Sequence, residues 1–220
     1  MEAGVGKKEN LLLLSGTSVD CVEEFCYLGD MLSSGGGAGE ASRVRIRCAW
    51  KKFRELSPIL TARGASLTLK GKIYSACIRS SMIYGSETWP MKVEDKQRLE
   101  RVERMMVRHM CGVTLKDKKS SEELRLRLGI DSLSDVIRSR LRWFGHVERK
   151  ENDDWMKACQ RLEVSGRRGR GRGRKTWREC VAEDMKVLGL EERDVQDRLK
   201  WRRGILGKPS DPCKHGNKRR

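Results

Sequence analysis

The sequence lacks the apolar segments that would place it in a membrane. Leu11–Leu14 supplies only four apolar residues in a row, whereas a membrane-spanning helix needs about 20. The basic, apolar and small-residue pattern of a signal peptide is also missing from the first residues. We therefore expect an intracellular protein, in the nucleus or the cytoplasm, with no membrane partner.

Aromatic residues are scarce, and basic residues outnumber acidic ones. Aromatic residues make up 5% of the chain, and 31 Asp and Glu face 48 Lys and Arg, which leaves a formal net charge of +17. Such an excess needs a polyanionic partner or strong solvation, and nucleic acid is the first polyanion to consider. With 220 residues and 37% hydrophobic content, the chain can form one domain or two small ones around a modest core.

The eight cysteines lack the spacing of a disulfide framework or a zinc site. A structural zinc site needs four Cys or His ligands, typically in two close pairs, and an isolated pair such as His109 and Cys111 does not complete one. We expect no metal and no other cofactor. Cys48, Cys77 and Cys111 are expected to be buried thiols that behave as small hydrophobic residues.

Recognisable catalytic groups are missing as well. Asp153 and Asp154 follow a helix in a polar loop, where solvated side chains are the simpler interpretation than a two-metal site. Gly35–Gly39 lacks the Lys-Ser/Thr that completes a phosphate-binding loop. His146 has neither a nucleophile nor an orienting carboxylate that the sequence identifies, so a contact or packing role is favoured. We assign no catalytic residue.

The N-terminal region has a strand-like pattern and the rest of the chain a helical one. We expect a short buried strand at Leu11–Leu14 and a second strand or hairpin over Val22–Leu32, followed by a glycine-rich break. Helices are predicted over 40–60, which Pro58 kinks or ends, over 66–84, where Ser66 can cap the start, and over 93–110. Together they would form an antiparallel bundle. The residues that the second helix should bury are Leu69, Ile73, Ala76, Cys77 and Ile83.

Two sequence signatures predict helix starts further along the chain. Ser120–Glu123 resembles a capping box for a short helix that ends at Gly129, and Thr176 with Glu179 forms a second capping box. Between them, a helix that starts near Ser132 carries the segment Leu141–Arg149.

Leu141–Arg149 combines an apolar face with a basic stripe. Leu141, Phe144 and Val147 recur at helical spacing and should be buried. A second stripe lies beside them: Asp135, Arg138, Arg142, His146 and Arg149. Such a stripe suits a phosphate backbone, and a merely solvated helix flank is an equally weighted alternative.

The segment Ser165–Lys175 holds six cations and four glycines and no apolar residue. It cannot offset its own ordering entropy, so we expect a mobile basic arm. Guanidiniums on such an arm can contact phosphates and stack on unpaired bases. A simple linker or a nuclear-import signal is the alternative.

Five short motifs follow one another along the chain, at Phe25–Gly29, Arg45–Ala49, Lys72–Ala76, Tyr84–Trp89 and Leu141–Arg149. In this order they resemble the C-terminal part of reverse transcriptases of non-LTR (LINE-type) retrotransposons, over roughly residues 4–205.

The resemblance implies that Gly4–Lys8 ends the polymerase palm, that Phe25–Gly29 is the strand turn that grips the primer, and that the next helices are the thumb. The family's catalytic Tyr-x-Asp-Asp turn would precede Met1, so we expect no polymerase activity from this chain. The cysteine-rich zinc knuckle of some lineages is absent.

The expected fold is mainly α, with a small N-terminal β-hairpin, a thumb-like helical bundle and further C-terminal helices. The expected segments are a palm-end and primer-grip-like β remnant at 1–38, a thumb-like three-helix bundle at 39–112, a second helical segment at 113–164, the basic Gly/Arg arm at 165–175, C-terminal helices at 176–207 and a disordered basic tail at 208–220.

The leading hypothesis is a nucleic-acid-binding fragment of a retrotransposon reverse transcriptase, with RNA, an RNA/DNA hybrid or DNA as its partner. The predicted backbone contacts are Arg43, Arg47, Lys51, Arg138, Arg142, His146, Arg149, Arg167, Arg168, Arg170, Arg172, Arg174 and Lys175, and the primer-grip-like residues are Phe25, Tyr27, Leu28 and Gly29. The alternatives are a decayed or mis-predicted remnant without selected activity, and a host-adopted protein-interaction module with exposed Trp155 and Trp201 as its anchors.

Overall fold

The computed structural model describes residues 11–12, 18–20, 22–34, 37–131, 135–162 and 175–206. These residues are mainly helical, with antiparallel strands confined to the N-terminal end, so the predicted fold class is confirmed. Three predicted features lie outside the described residues: the palm-end segment Gly4–Lys8, the arm arginines Arg167–Arg174 and the tail at 208–220.

The strands form two small antiparallel pairs. Their bounds are β1 Leu11–Leu12, β2 Ser18–Val19, β3 Glu24–Tyr27 and β4 Asp30–Ser33. β1 pairs with β2, and β3 pairs with β4 so that Phe25 lies opposite Leu32. Leu28 and Gly29 connect β3 to β4 with φ values of 49° and 76°, and such a two-residue turn with both φ angles positive matches the twist of the strands. The hairpin predicted within Val22–Leu32 is therefore confirmed.

The helical segments follow in chain order. Their bounds are α1 Gly39–Glu55, α2 Ser57–Leu60, α3 Leu67–Ile73, α4 Ser80–Met82, α5 Val93–Cys111, α6 Ser121–Leu128, α7 Asp135–Glu148, α8 Trp155–Arg161, α9 Trp177–Leu188 and α10 Arg198–Leu206. A π-helical turn, Tyr74–Arg79, joins α3 to α4, and short 3-10 turns lie at Ser86–Thr88, Leu115–Asp117 and Glu192–Val195.

The predicted caps satisfy backbone donors at the helix starts. Ser66 accepts a hydrogen bond from the N–H of Leu69 at 3.3 Å, and Ser120 accepts one from the N–H of Glu123 at 3.0 Å. Thr176 and Glu179 form the complete reciprocal capping box of α9. Each such cap contributes about 1 kcal/mol to helix stability.

The buried face of the second predicted helix differs from the prediction. Tyr74, Ile78 and Met82 are fully buried, whereas Leu69 and Cys77 are exposed, and so is Ala76. The π-helical turn explains the four-residue spacing of the buried side chains, because it takes up more residues per turn than the 3.6 of an α-helix. The predicted burial of Leu69, Ala76 and Cys77 is therefore wrong. Cys48 and Cys111 are half-buried, and Cys180 is the buried cysteine of the described part.

A first hydrophobic core lies between α1, the α3–α4 helix, α5 and α6. Its fully buried members include Ala49, Leu60, Ile78, Leu99 and Leu124. α6 thus packs with the bundle that precedes it in the chain. The division of the chain into six segments stays a prediction.

A second core, around Leu141, Phe144, Val181 and Trp201, joins α7, α9 and α10. Two hydrogen bonds connect α9 to the segment that precedes α5. The indole N–H of Trp177 donates to the carbonyl of Glu87 at 2.7 Å, and the thiol of Cys180 donates to the carbonyl of Met91 at 3.6 Å. The second core therefore rests directly on the first.

A buried ionic network ties α5 to the π-helical turn. The Glu103 carboxylate accepts hydrogen bonds from Nε and Nη2 of Arg79 at 3.1 and 2.7 Å, and Arg125 lies 3.6 Å from its other oxygen. Burial, together with the Glu103 charge, raises the pKa of the neighbouring Tyr74 far above its ordinary value, so Tyr74 stays protonated. Arg79 also donates to the carbonyl of Asp131 at 2.5 Å, which holds the chain that leads into α7.

We expect Glu103→Gln to lower the free energy of unfolding by about 3 kcal/mol, because it leaves the buried Arg79 guanidinium without its counter-charge. Urea unfolding followed by circular dichroism measures this change. The matched control is Glu100→Gln on the same helix, which should change stability by less than about 0.5 kcal/mol. Equal effects of the two substitutions would contradict the assigned role of the network.

Candidate nucleic-acid interface

The motif Leu141–Arg149 covers the C-terminal part of α7 and the residue that follows it, and α7 packs against α10 and α9. Leu141, Phe144 and Val147 are buried as predicted. The Phe144 ring lies 6.2 Å from the Trp177 ring and 6.1 Å from the Trp201 ring, centroid to centroid. The apolar face of the motif therefore builds the second core and turns its basic flank towards α10.

Gly145 allows α7 and α10 to approach closely. The Trp201 indole lies against this turn of α7, and its N–H donates to the carbonyl of Leu141 at 3.1 Å. A Cβ atom at position 145 would lie 2.2 Å from Nε1 of Trp201, which is far inside van der Waals contact. Trp201 is only 2% exposed, so the prediction of an exposed anchor at this position is wrong.

A basic groove of about 530 Å³ runs between α7 and α10. We define it by the side chains that line it: Arg142, His146, Arg149, Arg198, Trp201, Arg202, Ile205 and Leu206. Four of the eight are arginines and none is acidic. The groove thus offers positively charged walls beside an apolar strip.

The charges of the basic groove are poorly neutralised within the described part of the chain. Arg142, Arg198 and Arg202 are exposed and form no salt bridge with a described residue. Arg149 is half-buried and donates to the carbonyl of Val195 at 2.9 Å. Burial lowers the pKa of Arg149, and the neighbouring Arg198 cation lowers it further. These like charges attract an anion that fits between them.

His146 lies at the edge of the basic groove. Its ring stacks on that of Trp143, with 5.9 Å between centroids and 29° between planes. This placement agrees with the contact or packing role predicted for it. In the described residues, no group of three or more His, Cys, Asp or Glu side chains is arranged to hold a metal ion.

Among the described residues, the other cations predicted to bind nucleic acid do not line the basic groove. Arg138 pairs with Asp131 at 4.0 Å, and Lys175 forms an ion pair with Glu183. Exposed side chains one turn apart form a separate stripe on α1: Arg43, Arg47 and Lys51. Arg43 also pairs with Glu40 on the same helix, at 2.6 Å.

The primer-grip-like residues lie on the β3–β4 hairpin. Phe25, Tyr27 and Leu28 are each more than half exposed, so their apolar surface is uncovered in the described part. The hairpin is held to the first core by Asp30, whose carboxylate accepts a hydrogen bond from the indole N–H of Trp89 at 2.9 Å.

Arg198 and Arg202 were missed by the sequence analysis. The available signal was the spacing in α10, where Arg198 and Arg202 are four residues apart, as are the buried Trp201 and Ile205. Two interleaved four-residue repeats predict a helix with one buried face and a basic flank. The pairing of this flank with α7 depends on tertiary packing.

Comparison with known proteins gives one related sequence. The chain is 25% identical over 146 residues to a transposon-derived protein of Caenorhabditis elegans that is itself described as uncharacterized. The aligned part covers 64% of this chain and 52% of that protein, so the chain spans about half the length of this relative. No family model and no solved structure matches the chain.

No helix in the described ranges is long and apolar enough to cross a membrane.

We expect Gly145→Ala to lower the free energy of unfolding by about 1–3 kcal/mol, because the added Cβ atom forces α10 away from α7. This outcome opposes the intrinsic preference of helices for alanine over glycine, which is about 1 kcal/mol. Chemical unfolding of the purified protein measures the difference.

The double variant Gly145→Ala/Trp201→Ala is the control, because alanine removes the indole ring that the new Cβ atom would strike. In the Trp201→Ala background, Gly145→Ala should cost much less than it does alone. Strictly additive effects would show that the two residues do not press on each other.

Proposed function

We propose that this chain is the nucleic-acid-binding C-terminal region of a non-LTR retrotransposon reverse transcriptase, and that it holds the phosphate backbone in the basic groove. One observation carries the proposal: four arginines from two helices converge on one groove that no acidic side chain lines. Guanidiniums are suited to phosphate because they present several N–H donors in a planar fork.

Two observations support a transposable-element origin. The similar C. elegans protein is transposon-derived, and the five ordered motifs resemble the reverse transcriptase family. The chain spans about half of that relative, so any activity of a whole element protein is part of the proposal. The Tyr-x-Asp-Asp turn is not among these 220 residues, and we propose that they bind without polymerising.

The proposal adds further cations to those of the basic groove. The α1 stripe of Arg43, Arg47 and Lys51 and the Gly/Arg-rich segment Ser165–Lys175 are additional backbone contacts in this proposal. Such contacts position a nucleic acid without reading its sequence. The proposed partner is RNA, an RNA/DNA hybrid or DNA in the nucleus or cytoplasm.

We expect the Arg142→Gln/Arg198→Gln variant to bind RNA and duplex DNA roughly tenfold or more weakly than the wild type. The slope of log K against log salt should fall by about 1.5, because each lost phosphate contact removes about 0.7–0.9 from it. Fluorescence anisotropy at several salt concentrations measures both quantities.

Arg63→Gln/Arg104→Gln is the matched control, because it removes two exposed arginines that do not line the basic groove. This variant should keep the wild-type salt slope. If both double variants lost affinity equally, net charge and not the basic groove would govern binding.

The genomic sequence upstream of this chain separates the proposal from a decayed or mis-predicted remnant. An in-frame region that encodes a Tyr-x-Asp-Asp turn is expected if the chain is the tail of a whole reverse transcriptase. Stop codons in every frame upstream would contradict that origin.

A further inference from the structure

A second cavity, of about 290 Å³, lies between α7, α8 and α9. We call it the aromatic pocket and define it by Trp143, Trp155, Trp177 and Gln160. The remaining lining side chains are small or apolar, apart from Thr88, and none is charged. Its volume lies at the lower limit of small-molecule sites, which suits a flat ring better than a helix from a partner protein.

Trp155 and Trp177 differ in how they contribute to the aromatic pocket. Trp155 is 69% exposed, although burial of a tryptophan is strongly favourable. Trp177 is fixed in place by the hydrogen bond from its indole N–H to the carbonyl of Glu87. The pocket therefore combines a fixed aromatic wall with a large indole surface that is left open to solvent, which is the form of a stacking platform.

Gln160 adds an unused pair of hydrogen-bonding groups. Both the amide nitrogen and the amide oxygen of its side chain are shielded from solvent, and neither has a hydrogen-bond partner among the described residues. A buried amide without partners is unfavourable. A donor and an acceptor side by side on one planar group match the donor and acceptor pairs on the edges of nucleobases.

The aromatic pocket adjoins the basic groove across one pair of stacked rings. Trp143 lines the pocket, His146 lines the groove, and the two rings stack on each other. A strand whose phosphates occupy the groove would therefore pass near the aromatic pocket. A neighbouring cationic surface also favours a polyanionic occupant over an apolar peptide.

We propose that the aromatic pocket takes an unpaired nucleobase of single-stranded RNA or DNA, stacked on Trp155, and that the Gln160 side chain turns into the pocket so that its amide meets the edge of the base. This inference rests on the proposed function, since the basic groove delivers the strand. It adds that the chain distinguishes unpaired bases from a bare backbone.

The test compares two labelled 12-nucleotide single strands, one with bases and one abasic, which carry the same phosphates. Ribose and deoxyribose versions of the base-containing strand form separate arms. The wild type should bind the base-containing strand about 5- to 100-fold more tightly, which is the range for one stacked base. Trp155→Ala should abolish this ratio without changing the affinity for the abasic strand, and Trp155→Phe should retain most of it.

Leu126→Ala is the control, because Leu126 is as exposed as Trp155 but lies on α6. It should leave the ratio unchanged. A Trp155→Ala variant that keeps the wild-type ratio would overturn the inference and would leave the pocket to another ligand, such as a protein side chain.

Gln160→Leu is expected to have opposite effects on stability and on binding. It should raise the Tm, because it removes a buried amide without partners, and it should weaken binding of the base-containing strand several-fold. Wild-type affinity in this variant would overturn the contact between Gln160 and the base.

The two variants test the aromatic pocket and the basic groove separately. Arg142→Gln/Arg198→Gln should weaken binding of both strands by the same factor. If it does so while Trp155→Ala changes neither affinity, the groove is retained and the base pocket is overturned.

Discussion

The contact between Gly145 and Trp201 sets the distance between α7 and α10, and the basic groove exists only at that distance. Because position 145 has no Cβ atom, the Trp201 indole reaches the α7 backbone, and its N–H donates a hydrogen bond to the Leu141 carbonyl at 3.1 Å. Arg198 and Arg202, on the same helix as Trp201, are then carried to the flank of α7 that bears Arg142 and Arg149. The close packing of Trp201 on Gly145 thus brings the four arginines of the basic groove together.

The like charges of the basic groove lie next to the second core, because Trp201 and Ile205 belong to both. Like charges along the basic groove oppose folding, and burial together with the adjacent Arg198 charge lowers the pKa of Arg149. Burial of Leu141, Phe144, Trp201 and Ile205 offsets this repulsion. A bound phosphate backbone would relieve it, so binding and stability should be linked.

Local features were predictable from the sequence and tertiary ones were not. The caps at Ser66 and Thr176 and the buried face of α7 follow from neighbouring residues alone, and they were predicted correctly. The buried face of the α3–α4 helix was not, because the π-helical turn changes the repeat. Within the candidate site, α7 supplied Arg142, His146 and Arg149 from its own periodicity. Their partners on α10 and the burial of Trp201 depend on packing between segments about 50 residues apart in the sequence.

Residue-by-residue arginine footprinting tests the central claim most directly. The protein is treated with an arginine-specific dicarbonyl reagent, alone and saturated with single-stranded RNA, and each modified arginine is quantified by mass spectrometry. The account predicts that Arg142, Arg198 and Arg202 lose reactivity together in the complex, while the exposed Arg63 and Arg104 keep theirs. Unchanged reactivity of the three groove arginines at full RNA saturation would contradict it.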